Sequence, residues 1–523
     1  MAPMSEDGVV LVGMPTSGKS SVGRLVAERL GRPFVDTDEI AARRIGMPVP
    51  NYIDMHGEAA FRLEESKAVA EACAVAGAVI ATGGGAVLDP LNRWALWHHG
   101  TVAWLELPAD EVRRRLSGDP VARPTLQPDG VDRIADVMTA RAPVYRAADL
   151  RLDACDSTEA IAGSLVERSR PADGRRLLDA EVARHHPIGP PSARIVMGVE
   201  MVGAVPPGVA VVDHRLHAEA PGLVEAVGAA RSLPVRAGER AKRIRTLERI
   251  LEWLASERVE RDTPLVAVGG GTIGDLAGTA ASLYARGLPL VQVPTTWLAQ
   301  ADAAIGGKVA VDLAGAKNAV GSFWPPVAVV SDVGALRSLP VRLRRDGMAE
   351  SIKAAIIGDP SLWRLLEDRG SAALRSDEPA RYAIIERSAR LKLEVCERDP
   401  FETGERRTLN LGHTIGHALE IESGYRLAHG AAVALGMRAV VAIAHRRGGD
   451  PELPDRLDAL LDRLGFTLRR SFDAVSVRAA MLGDKKRREG RQRWILPMEV
   501  GRVVEVDDVT DAEVDLGLQA IAS

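Results

Sequence analysis

Cysteine is scarce. Cys73, Cys155 and Cys396 are the only three in 523 residues, and no CxxC pair occurs. That spacing excludes a disulfide framework and a thiolate zinc knuckle. Aromatic residues make up only 4%, so the cores must be built from Ala, Val, Leu and Ile. No uncharged apolar run reaches the roughly 18 residues a membrane span needs, so no membrane partner is expected. The opening MAPMSEDGVVLVG has no basic segment ahead of an apolar core, so no secretory signal and a cytoplasmic location are expected. Neither charge sign dominates: Lys plus Arg is 67, Asp plus Glu is 71, and the net charge is −4. A large nucleic-acid footprint needs a basic surface and is not expected. What remains is an ordinary globular composition, 46% hydrophobic and 26% charged. The length suggests three or four domains at about 150 residues each.

Residues 8–168 alternate strand and helix patterns. VVLVG is a short buried-strand pattern, and SSVGRLVAERLG follows with Val22, Leu25, Val26 and Leu30 at helical spacing and Gly31 as a stop. AVIATGGG and TVAWLEL are two further apolar strands, so a parallel α/β sheet is expected. Residues 169–192, with RSRPADGRR and HHPIGPPS, are rich in Pro, Gly and charge and read as a linker holding a short helix, LLDAEVARH. A second α/β region follows from about 193, with strands ARIVMGV, VAVVD, PLVAVGGG and LPLVQVP. From about 340 the patterns are mostly helical.

Gly13-Met-Pro-Thr-Ser-Gly18-Lys19-Ser20 matches GxxxxGK[ST] in full, with a strand before it and a helix after it. Backbone N–H groups of such a loop cradle phosphates, Lys19 reaches the β/γ-phosphates, and Ser20 ligands Mg²⁺. Asp36-Thr-Asp38 offers carboxylates for Mg²⁺ through water and for a hydroxyl proton. The same pair also suits a helix N-cap. Arg62 and Arg141 suit an acceptor carrying a carboxylate, and equally suit structural ion pairs. Gly83-Gly84-Gly85 ends a strand, where a backbone can approach a ligand closely.

Together GMPTSGKS, DTD, GEAAFR, ATGGG and RAPVYR make about residues 8–168 resemble the shikimate kinase family. The resemblance implies Mg²⁺-ATP-dependent phosphorylation of the shikimate 3-hydroxyl. It implies ATP contacts from Gly13, Thr16, Ser17, Gly18, Lys19, Ser20, Ser21 and the lid residue Arg123. Asp38, Arg62, Gly84 and Arg141 would hold the acceptor, and Asp38, Lys19 and Arg123 would be catalytic. Family members often carry an adenine-contacting Arg where this chain has Leu116; Arg115 is adjacent.

In the second region Gly269-Gly270-Gly271-Thr-Ile-Gly274-Asp275 follows a strand and reads as GxGxxG. The acidic residue expected about twenty positions later is missing, so a standard Rossmann unit is not supported. Three of the eleven histidines are His413, His417 and His429. Two imidazoles four apart share a helix face. Such a pair is often structural, but with Glu350 upstream it also makes a zinc-type set with an open position. Lys308, Lys317, Asn318, Lys353, Lys392, Arg406 and Asn410 suit a substrate with both phosphate and carboxylate. Lys485 to Arg488 alone reads as a solvated basic face.

GGGTIGD, PTTWLAQADAAIGGK, AKN, AESIK, RTLNLGHTIGHALE and AHG make about residues 193–505 resemble the 3-dehydroquinate synthase family. The resemblance implies Glu350, His413 and His429 as ligands of Zn²⁺ (or Co²⁺). It implies NAD contacts from Asp213, Glu239, Lys242, Gly271, Asp275, Thr295, Thr296, Lys308 and Lys317. Arg286, Asp302, Lys308, Asn318, Lys353, Lys392, Arg406, Asn410, His417 and Lys486 would meet the substrate, with Lys308, Lys353 and His417 catalytic. The implied reaction cyclises 3-deoxy-D-arabino-heptulosonate 7-phosphate to 3-dehydroquinate with loss of phosphate. NAD takes a hydride and returns it. A homodimer through this half is implied. Four motifs depart from the family pattern: GGKT reads Gly-Gly-Lys308-Val309, HGE reads His429-Gly-Ala431, AEVIKYG reads AESIKAA with Ser351, and PTTLLAQVD reads PTTWLAQAD with Trp297.

The expected fold is α/β. A P-loop kinase (1–168) and a linker (169–192) come first. An α/β NAD-binding domain (193–338) and a mostly α-helical metal-binding domain (339–523) follow, with the active site in their cleft. Two further readings stand: a related sugar-phosphate cyclase with another substrate, and a degenerate half serving as a scaffold. The two expected reactions are not consecutive, so direct channelling between them is not implied.

Overall fold

The computed structural model describes residues 7–117, 126, 132–169, 174–227, 231–313, 316–482, 487–488 and 491–523. The chain forms two compact units, Met1–Glu181 with Ile195–Met201, and Val182–Arg194 with Val202–Ser523.

Unit 1 is built on β1 (Gly8–Gly13), α1 (Lys19–Leu30), β2 (Phe34–Asp36), α2 (Thr37–Ile45), α3 (Val49–His56), α4 (Glu58–Cys73), β3 (Val79–Ala81), α5 (Pro90–His99), β4 (Gly100–Glu106), α6 (Ala109–Leu116), α7 (Ile134–Tyr145), β5 (Leu150–Asp153) and α8 (Thr158–Arg168). The sheet order is β2-β3-β1-β4-β5, every pair parallel. β1 lies in the middle and all six of its residues are buried, as a parallel strand covered on both faces requires. Of the expected stripe of α1, Val22 and Val26 are buried while Leu25 and Leu30 are half-buried, and Gly31 ends the helix at φ 63°.

One expectation is corrected. The stretch read as a linker with a short helix contains strand β6 (Arg175–Ala183). Leu177, Leu178, Asp179 and Ala180 are buried in succession. A surface helix would bury one stripe only, whereas a strand covered on both faces buries consecutive residues. β7 (Ser192–Val199) is its neighbour.

Unit 2 continues with β8 (Val209–Asp213), α9 (Leu216–Glu219), α10 (Pro221–Ala226), β9 (Arg231–Val235), α11 (Ile244–Ser256), β10 (Leu265–Gly269), α12 (Gly271–Leu283) and β11 (Leu290–Pro294). The hairpin β12 (Lys308–Leu313) and β13 (Ala316–Phe323) precedes β14 (Ala328–Asp332). Here the strands run β14-β11-β10-β8-β9, all parallel. The helical part is α13 (Val341–Gly358), α14 (Pro360–Arg375), α15 (Glu378–Arg398), α16 (His413–Glu422), α17 (His429–Arg446), α18 (Leu453–Arg463), α19 (Ala474–Leu482) and α20 (Asp511–Ile521).

Glycines let α16 and α17 approach at backbone distance. Gly412 precedes α16 at φ 75°, and a Cβ at Gly436 of α17 would overlap the Gly412 carbonyl oxygen. His413 is the next residue, so this contact sets its position. Gly436→Ala is therefore expected to destabilise unit 2 by about 1–3 kcal/mol, the range for overpacking. Gly222→Ala, where a Cβ meets nothing within 4 Å, should change stability by no more than about 0.5 kcal/mol. Urea unfolding midpoints compare the two.

Candidate functional sites

In unit 1 the site lies at the carboxyl end of the central strand. Gly18 takes φ 85° just before α1, and Thr16 takes φ 66° in the loop. Lys19 is buried and its Nζ donates to the carbonyls of Gly13 (3.1 Å) and Met14 (2.8 Å). Ser17 is buried within the loop, while Ser20 and Ser21 are exposed on the first turn of α1. Ser20 Oγ donates to Asp36 Oδ2 at 2.7 Å. Asp36 also caps α2, accepting from the Asp38 backbone N–H, so the N-cap reading holds for Asp36.

The three glycines meet four charged side chains. A Cβ at Gly83 would lie 2.5 Å from Asp38 Oδ1 and 3.0 Å from Glu65 Oε1. One at Gly84 would lie 3.1 Å from Arg141 Nη1, and one at Gly85 would overlap the Arg62 guanidinium. Arg62 pairs with Glu58 (2.6 Å) and Glu65 (2.7 Å). Arg141 is buried, and its Nη1 has no hydrogen-bond partner among the described residues. A buried, unsatisfied guanidinium nitrogen beside open backbone fits an anionic ligand. Burial raises the Glu65 pKa despite Arg62. Glu65 was missed from sequence, although it stands three residues after Arg62 on one face of α4. Arg115, the neighbour of Leu116, donates from Nη1 to the Thr16 carbonyl at 3.2 Å, which places it against the phosphate loop. Arg123 lies outside the described residues.

In unit 2, Asp213, Gly269 and Pro294 end β8, β10 and β11, neighbouring parallel strands. Ligands of open α/β sheets bind at that edge. Gly271 opens α12, and a Cβ at Gly270 would lie 3.0 Å from Thr296 Cγ2. Thr295 is buried beside them, its N–H donating to the Gly269 carbonyl at 3.0 Å. Lys242 forms an ion pair with Asp275 and donates to Asn318 Oδ1 at 2.5 Å. Lys317 pairs with Glu239 at 3.1 Å. Burial raises the Asp275 pKa against the pull of Lys242.

Glu350 (α13), His413 (first residue of α16) and His429 (first residue of α17) converge, with ligand atoms all within 4.8 Å of one another. Glu350 Oε1 is 3.1 Å from His429 Nε2 and 3.5 Å from His413 Nε2. The Leu411 carbonyl accepts from His413 Nδ1 at 3.0 Å, leaving Nε2 as a donor of electrons. Burial and Lys353 push the His413 pKa well below its usual value. Burial opposes charge on His429 too, but Glu350 and Glu420 outweigh it and push its pKa up to about 10. Two imidazoles and a carboxylate, in a place that demands positive charge between carboxylates, fit a divalent cation. His417 stands beside them, its ring 5.1 Å from that of His413.

A cationic wall adjoins this cluster. Lys353 pairs with Glu350 and with Asp302 (3.2 Å), and Lys392 pairs with Asp302. Burial lowers the Lys392 pKa to about 8. Lys308 pairs with Glu402, which also accepts from Asn410 Nδ2 at 2.8 Å. Arg406 is buried and donates to the carbonyls of Pro400 and Gly306. Asp399 accepts from the backbone N–H groups of Thr403, Gly404 and Arg406, and fixes that loop. Glu402 was missed from sequence; only its contacts reveal it. Arg286 is not brought to the cluster. It is exposed beyond the far end of α12, about 20 Å along the helix from Gly271. Lys486 lies outside the described residues.

Three of the departures lie in buried packing. Val309 is buried against Gly278 in the sheet core. Trp297 and Ser351 are one feature, since the buried indole N–H donates to Ser351 Oγ at 3.0 Å.

Unit 1 has the parts of a phosphotransferase with an anionic acceptor, and unit 2 those of a dinucleotide enzyme built around a cation. Comparison with known proteins agrees. The shikimate kinase family model matches residues 15–170, and the N-terminal and C-terminal models of 3-dehydroquinate synthase match residues 232–346 and 347–487. A 3-dehydroquinate synthase of Symbiobacterium thermophilum is 42% identical over 291 residues, covering 55% of this chain and 81% of that protein. A 2-epi-valiolone synthase of Actinosynnema mirum is also 42% identical over 291 residues, covering 54% and 76%. The structure of a 2-epi-5-epi-valiolone synthase of Streptomyces hygroscopicus, with NAD⁺ and Zn²⁺ bound, superposes with a TM-score of 0.59 at 28% identity, covering 64% of this chain and 98% of that one. The chain belongs to the shikimate kinase family in its first part and to the 3-dehydroquinate synthase family in its second. It is a bifunctional enzyme, a kinase joined to a cyclase. Among the described residues no helix is long and apolar enough to cross a membrane.

Ser351→Val should leave the Trp297 N–H buried without an acceptor and destabilise the protein by about 1–3 kcal/mol. In a Trp297→Leu background the same change should cost much less. A double-mutant cycle by urea unfolding reads the coupling, and additivity within about 0.3–0.5 kcal/mol would contradict it.

Proposed function

We propose that the first half transfers the γ-phosphoryl group of ATP to the 3-hydroxyl of shikimate. We propose that the second half converts 3-deoxy-D-arabino-heptulosonate 7-phosphate to 3-dehydroquinate and phosphate. For the kinase, the supporting observation is the unsatisfied Arg141 guanidinium facing Gly84 beside Asp38. Arg141 and Arg62 bind the acceptor carboxylate, and Asp38 accepts the hydroxyl proton as phosphorus is attacked. Lys19 neutralises phosphate charge, and Ser20 with Asp36 holds the Mg²⁺ of the nucleotide. Arg123 closes over the phosphates.

For the cyclase, the supporting observation is the set of three cations and one amide, Lys308, Lys392, Arg406 and Asn410, beside the carboxylate–imidazole cluster. Glu350, His413 and His429 would hold Zn²⁺ or Co²⁺, which when bound would polarise a substrate hydroxyl. NAD, held by Asp213, Glu239, Lys242, Gly271, Asp275, Thr295, Thr296 and Lys317, would take up and return a hydride. The chain's own residues do the rest. Lys308 and Asn410 exchange Glu402 for the substrate's anionic groups, Lys392 and Arg406 receive the carboxylate, and Asp302 holds Lys353 and Lys392 in place. His417 moves a proton near the departing phosphate. The same reading takes the second half to be dimeric, which sedimentation checks.

Arg141→Met is expected to raise KM for shikimate at least 10-fold while KM for ATP moves less than threefold. Equal effects on both would contradict the acceptor assignment. For the second half, phosphate release from the keto-acid phosphate with NAD⁺ should stop on chelation and return with zinc. Turnover of a carboxylate-free sugar phosphate, with none of the keto-acid phosphate, would assign the valiolone-type reaction instead.

A further inference from the structure

Glu420 is a buried carboxylate that the reading above does not use. It lies seven residues after His413 on α16, two turns along the same face. Its Oε1 is 3.5 Å from His429 Nδ1 and 3.2 Å from Lys317 Nζ. Its Oε2 is buried with no hydrogen-bond partner among the described residues. On the other side of the same ring, His429 Nε2 faces Glu350 Oε1 at 3.1 Å. The His429 imidazole is thus bracketed, one carboxylate at each nitrogen. The backbone beneath it is also fixed, since the Gly430 N–H donates to Asp346 Oδ1 at 2.6 Å.

A metal-ligating imidazole is oriented by the group its second nitrogen donates to, and that group sets which nitrogen keeps its proton. Ala431 supplies no such group from the neighbouring position. We infer that Glu420 is a positioning residue for the metal site. It accepts from His429 Nδ1–H and turns Nε2 toward Glu350 and His413. Lys317 steadies the carboxylate from the β13 hairpin, where it also pairs with Glu239 and lies 4.9 Å from the Tyr425 ring centre. The arrangement ties the dinucleotide side of the site to the metal side through one ion pair. This inference rests on the metal reading of Glu350, His413 and His429. A rival arrangement exists, because His417, Glu420 and His429 also lie within ligating distance of one another.

Zinc affinity of the full-length protein, measured by competition with a chromophoric chelator, separates these cases. Glu420→Ala should still bind one zinc per chain but 10–100-fold more weakly than the wild type. Glu420→Gln, which keeps the shape and an acceptor oxygen but not the charge, should fall between them and guards against misfolding. Glu422→Ala, on the same helix but bonded to the Asp473 N–H and to Arg470, should stay within twofold of the wild type. Glu420 variants within twofold of the wild type would overturn the inference and leave the metal reading intact. Loss of stoichiometric binding in Glu420→Ala, with Glu422→Ala unaffected, would make Glu420 a ligand and also overturn it. A wild-type protein that binds no zinc would overturn the metal reading and this inference together.

Discussion

The second half depends on one buried charge. Glu350 is 3% exposed, yet its pKa is held well below the usual carboxylate value against burial. Burying a lone carboxylate is prohibitive, so its partners must be in place. Lys353 comes from one turn further along α13, and His413 and His429 come from the first residues of α16 and α17. The glycine contacts between α16 and α17 bring those helix starts close enough. The Lys353–Asp302–Lys392 chain then carries the same charge balance outward from Glu350.

In both halves carboxylates hold cations in place. In unit 1 Glu65 and Glu58 hold Arg62. In unit 2 Glu402 holds Lys308 and Asn410, while Asp302 holds Lys353 and Lys392. On the proposed reactions, an anionic substrate would exchange with these partners at cations already held in place. In both units the candidate sites sit where parallel strands end, at the glycines of Gly83–Gly85 and Gly270–Gly271.

Much of this was legible in the sequence. The P-loop, the glycine run after β3 and the histidine pair one helical turn apart each follow from a local rule of backbone geometry, and the structure places them as expected. The strands of both sheets were readable as short apolar runs. The failures are non-local. Glu65, Glu402 and Glu420 matter through partners that sequence spacing does not announce, from Gly83 and Asp38 to Lys308 and Lys317. β6 was misread because its flanks are rich in Pro, Gly and charge, and because burial on both faces hides the alternation that marks a strand. The Trp297–Ser351 pair looked like two unrelated departures until the fold brought them within hydrogen-bonding distance.

The central claim is that Glu350, His413 and His429 form one cation site. Zinc K-edge X-ray absorption on the zinc-loaded full-length protein tests it most directly. The account predicts a four- or five-coordinate ion with two imidazole nitrogens and oxygen ligands at about 2.0–2.2 Å, reduced to one imidazole in His413→Ala. Sulfur scattering near about 2.3 Å, or a spectrum unchanged by His413→Ala, would contradict it.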